Sequence, residues 1–140
     1  MVGFRETMTG GYGLGDDDVG APLSFTVSAH APTLGALVRR RSLELAGELH
    51  AAGFADHRPL RGELSFPRPG IIRYDFGFPN NDGVACRFFG EKRVRLLHLL
   101  RTMTELDGDL RDASGRRLGR ARVRFDIRND LGRFLRSFSL

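Results

Sequence analysis

The sequence predicts an all-β protein, an antiparallel barrel of about eight strands with one or two short helices. Three observations predict it. Apolar residues recur with period two along most of the chain, the spacing of a strand with one dry and one wet face. Asn80, Asn81, Asp82 and Gly83 separate two such alternating runs and supply residues that tolerate positive φ in a tight hairpin. Gly47, Gly62, Gly77 and Gly90 fall inside strands, where glycine costs stability unless it permits a bulge or the strong coiling of a closed sheet.

The elements follow in order. Phe4, Glu6 and Met8 alternate on a first strand, and GGYGLG with the acidic tip Asp16, Asp17 and Asp18 reads as a flexible first loop. Leu23, Phe25, Val27 and Ala29 mark a second strand. Residues 31–41, with Pro32 and Thr33 at the start and Leu34, Leu37 and Val38 at helical spacing, predict a short helix. Strands follow at Leu43, Leu45, Gly47 and Leu49; at Leu60, Gly62, Leu64 and Phe66; and at Ile72, Tyr74, Phe76 and Phe78. After the Asn80–Gly83 turn, Val84, Cys86, Phe88, Gly90, Lys92 and Val94 share one face. RVRLLHLLRTMT reads as a helical turn or as the approach to a strand from about residue 101 to 110. Ala121, Val123, Phe125 and Ile127 alternate with Arg120, Arg122, Arg124, Asp126 and Arg128, so those arginines look outward. Residues 129–138 predict a short closing helix or turn.

Consecutive strands with short connections either close into an up-and-down barrel, calycin- or lipocalin-like, or stack as a β-sandwich; the internal glycines favour closure. At 140 residues the whole chain, 1–140, is expected to be one β domain. No apolar run is long enough to span a bilayer. MVGFRETMTG lacks the basic start and apolar stretch of a signal peptide, and Cys86 is the lone cysteine, so a cytoplasmic location is expected. The net charge of +5 raises the question of a polyanion partner. Lys92, however, is the only lysine among 22 basic residues, an arginine bias that GC-rich coding produces without selection for polyanion binding.

Phe4, Glu6, Met8 and Gly10 in GFRETMTG, Tyr74 and Phe76 before the turn, Asp82 and Gly83 in it, and Gly90 and Lys92 in FFGEK together resemble a known pattern. It is that of the small accessory β domain appended to some bacterial GMC (glucose-methanol-choline) flavoprotein oxidoreductases of the cholesterol-oxidase-like group. Thr102, Thr104 and Leu106 resemble that domain's Thr-Thr-Leu strand, but offset. The resemblance implies a β domain without settled chemistry of its own, associated with lipid or steroid oxidation. It does not imply flavin: GGYGLG lacks the flanking strand and helix that let a glycine-rich turn cradle a pyrophosphate, and no cofactor is expected.

With the apolar faces inward, Glu6 is carried in with Phe4 and Met8, and Lys92 with Cys86 and Phe88. Burying either charge alone costs several kcal/mol, so the two are expected to pair. Alternatively, Lys92 snorkels to the rim and Glu6 caps a loop. In the functional reading, Lys92, Glu6 and Tyr74 line a cavity and orient a carbonyl or hydroxyl of an apolar ligand bound among Phe25, Tyr74, Phe76, Cys86 and Phe88. Glu105 is a further candidate general base if its register turns it inward with Met103; otherwise Thr102, Thr104 and Leu106 face the interior. Cys86 itself reads as a small core residue rather than a nucleophile. His30, His50, His57 and His98 share no ligand spacing, His57 being assigned to a loop, and no metal is expected.

The eight arginines between Arg116 and Arg136 read as a solvated strand face, because Phe125, Phe134 and Phe138 suit the core; nucleic acid is not the expected partner. The expected function is therefore a barrel that binds a steroid-, lipid- or polyketide-like molecule, with a cofactor-free cyclase or isomerase activity as the enzymatic form. The rival is a non-catalytic accessory domain docking on a partner oxidoreductase. An open sheet would add a homodimer through its exposed edge.

Overall fold

The computed structural model describes residues 2–93 and 105–124. Eight antiparallel strands, each hydrogen-bonded to its sequence neighbours, close into a barrel in the order β1 to β8. They are β1 (Val2–Leu14), β2 (Ala21–Ala31), β3 (Ser42–Ala51), β4 (Ala55–Ser65), β5 (Ile71–Pro79), β6 (Ala85–Arg93), β7 (Glu105–Asp112) and β8 (Arg117–Arg124). Closure comes from β1 against β8, with Thr9 opposite Arg124 and Leu14 opposite Gly119. A β-sandwich is thereby excluded.

Alternation is the cause of the layering. Leu23, Phe25, Val27 and Ala29 of β2, Leu43, Leu45 and Leu49 of β3, Tyr74, Phe76 and Phe78 of β5, and Ala121 and Val123 of β8 are all buried. Arg120, Arg122 and Arg124, which alternate with the last two, are exposed. The turn between β5 and β6 forms as its residues require: Gly83 sits at φ +77°, and the Asn80 side-chain oxygen accepts hydrogen bonds from the Asp82 and Val84 amides, both at 2.9 Å. At Gly62 a side chain has no room, since a Cβ there would stand 2.4 Å from the Cα of Phe76, the residue opposite.

Several expectations are corrected. The single described helix, α1 (Leu34–Arg40), is shorter than residues 31–41, because Ala31 still belongs to β2 and Thr33 caps the helix by accepting from the Ala36 amide at 3.0 Å. Leu34 and Val38 are exposed, while Ala36 is buried and Leu37 packs on the core, so the helical spacing marked only one of its three inward residues; GGYGLG, expected as a loop, belongs to β1 through Leu14. Val84, assigned to the apolar face, is exposed beside the turn. His57, assigned to a loop, lies in β4 at φ +50°. Glu105 is exposed and Leu106 is buried, so the register of β7 turns this carboxylate out of the barrel. The expected helical turn before β7, Thr102 and Thr104, and the expected closing helix at 129–138 lie outside the described residues.

One end of the barrel carries the tight connections between β1 and β2, β3 and β4, β5 and β6, and β7 and β8. The other end carries α1 and the link from Ser65 to Ile71, and here the chain leaves β6 after Arg93 and β8 after Arg124. At this helix-bearing end the Phe66 amide donates to the Arg41 carbonyl at 2.8 Å, tying the exit of α1 to the exit of β4.

Candidate functional site

The interior has an aromatic middle and a polar end. Phe76 and Phe88 are direct cross-strand partners, and their rings stack 4.9 Å apart at an interplanar angle of 12°. Phe25 of β2 meets both, at 5.3 Å and 5.6 Å between centroids, and Tyr74 at 6.2 Å. All four residues are fully buried. Their successive rings converge on a shared interior, as the sequence predicts. Phe88 lies against backbone: a Cβ at Gly108 would stand 2.6 Å from the far edge of its ring.

The polar end is built by three strands. Alternation on β1 turns Glu6 inward beside Met8, and alternation on β6 turns Lys92 inward two residues beyond Gly90. Tyr74, on β5, stands opposite Gly90, whose missing side chain leaves room for the Leu106 side chain and the Phe88 ring. The Tyr74 hydroxyl donates a short hydrogen bond to the Glu6 carboxylate. The Lys92 ammonium lies 5.2 Å from the centroid of the Tyr74 ring, within cation–π range. Glu6 and Lys92 are the two buried charged residues among those described, each 8 % exposed. Neither snorkels into solvent, and both meet the same tyrosine.

Desolvation dominates this electrostatic environment. Burial raises the Glu6 pKa above the ordinary carboxylate value, opposed by the Lys92 charge and the Tyr74 hydrogen bond. Burial likewise lowers the Lys92 pKa, opposed by the Glu6 charge. The Tyr74 hydroxyl is held well above its ordinary value, first by burial and then by the adjacent carboxylate. Both shifts within the acid–base pair therefore move it toward its neutral form, a carboxylic acid beside an amine.

A solvent-open hollow of about 500 Å³ lies at the same end, lined by Arg41, Phe66, Arg68, Pro69, Ile71 and Ile72 and not by Glu6, Tyr74 or Lys92. Ile72 is the cross-strand partner of Lys92, so the cavity wall and the buried amine are neighbours in the sheet.

Of the residues expected at the site, Glu6, Tyr74 and Lys92 come together, with Phe25, Phe76 and Phe88 beneath them. Two do not join them. Glu105 is outside the barrel. Cys86 is buried toward the opposite end, opposite Phe78 and Asp112, with its thiol pKa raised chiefly by burial, which suits a core residue and not a thiolate nucleophile.

Two outer clusters escape a reading by single strands. Phe89 is half-buried beneath the guanidinium groups of Arg73, Arg87 and Arg111, at 5.5 to 5.7 Å. Each of these cations also meets a carboxylate: Arg73 with Glu91 at 2.7 Å, Arg111 with Asp109 at 3.1 Å, and Arg87 with Asp75. His50 stacks on His57 at 4.1 Å, and Glu48 meets His57 at 2.7 Å. Among the described residues no three His, Cys, Asp or Glu side chains are placed to hold a metal ion. Both clusters are assembled across neighbouring strands, and only the pairing register reveals them.

The fold and this site define a closed eight-stranded antiparallel barrel with a buried acid–tyrosine–amine group at one end. Comparison with known proteins finds no matching family model, no matching curated protein and no matching solved structure. Among the described residues no helix is long and apolar enough to cross a membrane.

Proposed function

We propose that the barrel binds an apolar small molecule at its helix-bearing end, with Glu6, Tyr74 and Lys92 meeting the ligand's one polar group. One observation carries the reading: two ionisable side chains are buried at one end of an otherwise apolar interior, and Ile72, the strand partner of one of them, lines an open hollow at that end. A core needs no such pair for stability, since replacing a buried ion pair by apolar side chains is often neutral or stabilising. Phe25, Phe76 and Phe88 form the floor and hold the ligand near the mouth. A carboxyl group and an amine gathered at one buried tyrosine also suit a cofactor-free cyclisation or isomerisation, in which Glu6 gives or takes a proton while the walls fix the ligand's conformation. A cytoplasmic location belongs to the same reading.

Native mass spectrometry of freshly purified protein, followed by thermal shifts with steroids, fatty acids and polyketides, tests the proposal. The expected outcome is a retained or stabilising apolar ligand whose affinity falls about ten-fold in Lys92→Met. No retained molecule and no shift across the panel would remove it. So would a Lys92→Met protein as stable as the parent that binds ligand equally well.

The packed aromatic middle favours a second reading, an accessory module of a partner oxidoreductase like the GMC-associated domain that the sequence resembles. Eight-stranded barrels can be filled by side chains alone. That reading expects an empty ligand screen together with co-elution on a GMC oxidoreductase.

A further inference from the structure

We propose that Lys92 is an imine-forming lysine whose substrate class is an apolar aldehyde or ketone entering through the cavity beside Ile72. The inference rests on the small-molecule reading above and assigns the ligand's polar group to a carbonyl. It stands on a cluster that contains the parts an imine needs. A buried amine lies over the Tyr74 ring, a carboxyl group accepts from the same tyrosine, and the open hollow is lined by the amine's cross-strand neighbour. An ammonium group cannot attack a carbonyl, whereas a lysine amine desolvated among apolar side chains can. Burial pushes Lys92 and Glu6 in opposite directions, toward the amine and the carboxylic acid, so the proton that silences the nucleophile has a place to go.

The steps balance without oxidant or reductant. The Nζ lone pair of Lys92 attacks the carbonyl carbon and a C–N bond forms. The carbonyl π pair moves to oxygen, which takes the proton held by Glu6. The nitrogen, now positive, returns a proton to the Glu6 carboxylate. Glu6 then protonates the hydroxyl of the carbinolamine, its C–O bond breaks, water leaves, and the nitrogen lone pair forms C=N as an iminium ion whose N–H proton returns to the Glu6 carboxylate to give the imine. One water is released for each imine. Tyr74, donating to Glu6, positions the carboxyl group through this exchange of protons.

The chain makes the test clean, because Lys92 is its only lysine and the α-amino group is the remaining primary amine. The purified protein is incubated at neutral pH with decanal or cinnamaldehyde and sodium cyanoborohydride, which converts an imine to a stable secondary amine, and is then mapped by peptide mass spectrometry. A parallel sample is unfolded in urea. Thermal shift with decanol, which lacks the carbonyl, reads non-covalent binding. The expected result is one adduct on the Lys92 peptide, formed at least about ten-fold faster in the folded protein than in the unfolded chain, and slowed about ten-fold in Glu6→Gln. The α-amino group should react alike in both samples. Lys92 labelled no faster than in urea, while decanol still raises the melting temperature, overturns the imine and leaves the binding site standing. Neither adduct nor decanol stabilisation overturns both. Mapping the unaltered protein decides the question even if Glu6→Gln fails to fold.

Discussion

At the scale of single residues, Tyr74 explains how a barrel of this size tolerates two buried charges. It donates to one through its hydroxyl and meets the other through its ring, so the pair is bridged by a side chain that is itself mostly apolar. The arrangement fixes the sign of the pH dependence. Glu6 has a folded pKa raised above its unfolded value, so its contribution to stability falls as pH rises between the two. Lys92 has a folded pKa lowered below its unfolded value, so its contribution rises with pH between them. Removing one partner strands the other. Glu6→Gln is expected to destabilise the protein by about 3 kcal/mol at neutral pH in urea denaturation, with the loss shrinking above about pH 10, where the unfolded chain also carries a neutral lysine. The double variant Glu6→Gln/Lys92→Met is expected to recover all but about 1 kcal/mol of that loss. A double variant as unstable as Glu6→Gln would show that the two residues are not energetically coupled.

At the scale of elements, strand periodicity made most of the architecture legible. Alternation identified the buried faces of β2, β3, β5, β6 and β8 because each strand has one side on a common core. It failed where that condition lapses. Val84 keeps the phase of its strand but lies beside the turn, where the phase no longer points at a core. α1 meets the barrel through the small Ala36 and the half-buried Leu37, while Leu34 and Val38 face out, so only one of its three larger apolar side chains points at the core. Glu105 was ambiguous because Thr-Met-Thr-Glu-Leu alternates equally well in either phase, and the pairing of Leu106 with Val123 decided it. Glycines within strands are not equivalent either. A Cβ at Gly62 would stand 2.1 Å from the Asp75 carbonyl oxygen, while at Gly77 the nearest atom is 3.6 Å away. Gly62→Ala is therefore expected to cost about 1–3 kcal/mol by chemical denaturation. Gly77→Ala should be neutral or slightly stabilising, through its effect on the unfolded chain. Equal losses at the two positions would contradict the close approach of β4 and β5.

At the scale of the whole molecule, closure is the property on which the others depend. Among the described residues β8 pairs with Thr9 to Leu14 of β1 and closes the sheet, which removes the open sheet from which a homodimer was expected. The seam has a weak point at Gly10, where a Cβ would stand 1.9 Å from the Arg122 carbonyl oxygen. Gly10→Val is expected to part β1 from β8 and expose both edges, raising the oligomer fraction above that of the parent in light scattering after size exclusion. A variant with the parent's mass and stability would show that the barrel does not need this contact.

The sequence by itself determined the all-β class, the hairpin at Asn80–Gly83 and the inward set of aromatic residues, because alternation and turn chemistry are local properties of neighbouring residues. It also placed Glu6 and Lys92 in the interior by phase alone. Only the tertiary structure decided that they meet at one tyrosine, that Glu105 faces out, that Cys86 lies toward the other end, and that the sheet closes. Those outcomes depend on register between strands distant in sequence, and a shift of one residue there would exchange the inner and outer faces without changing any local pattern.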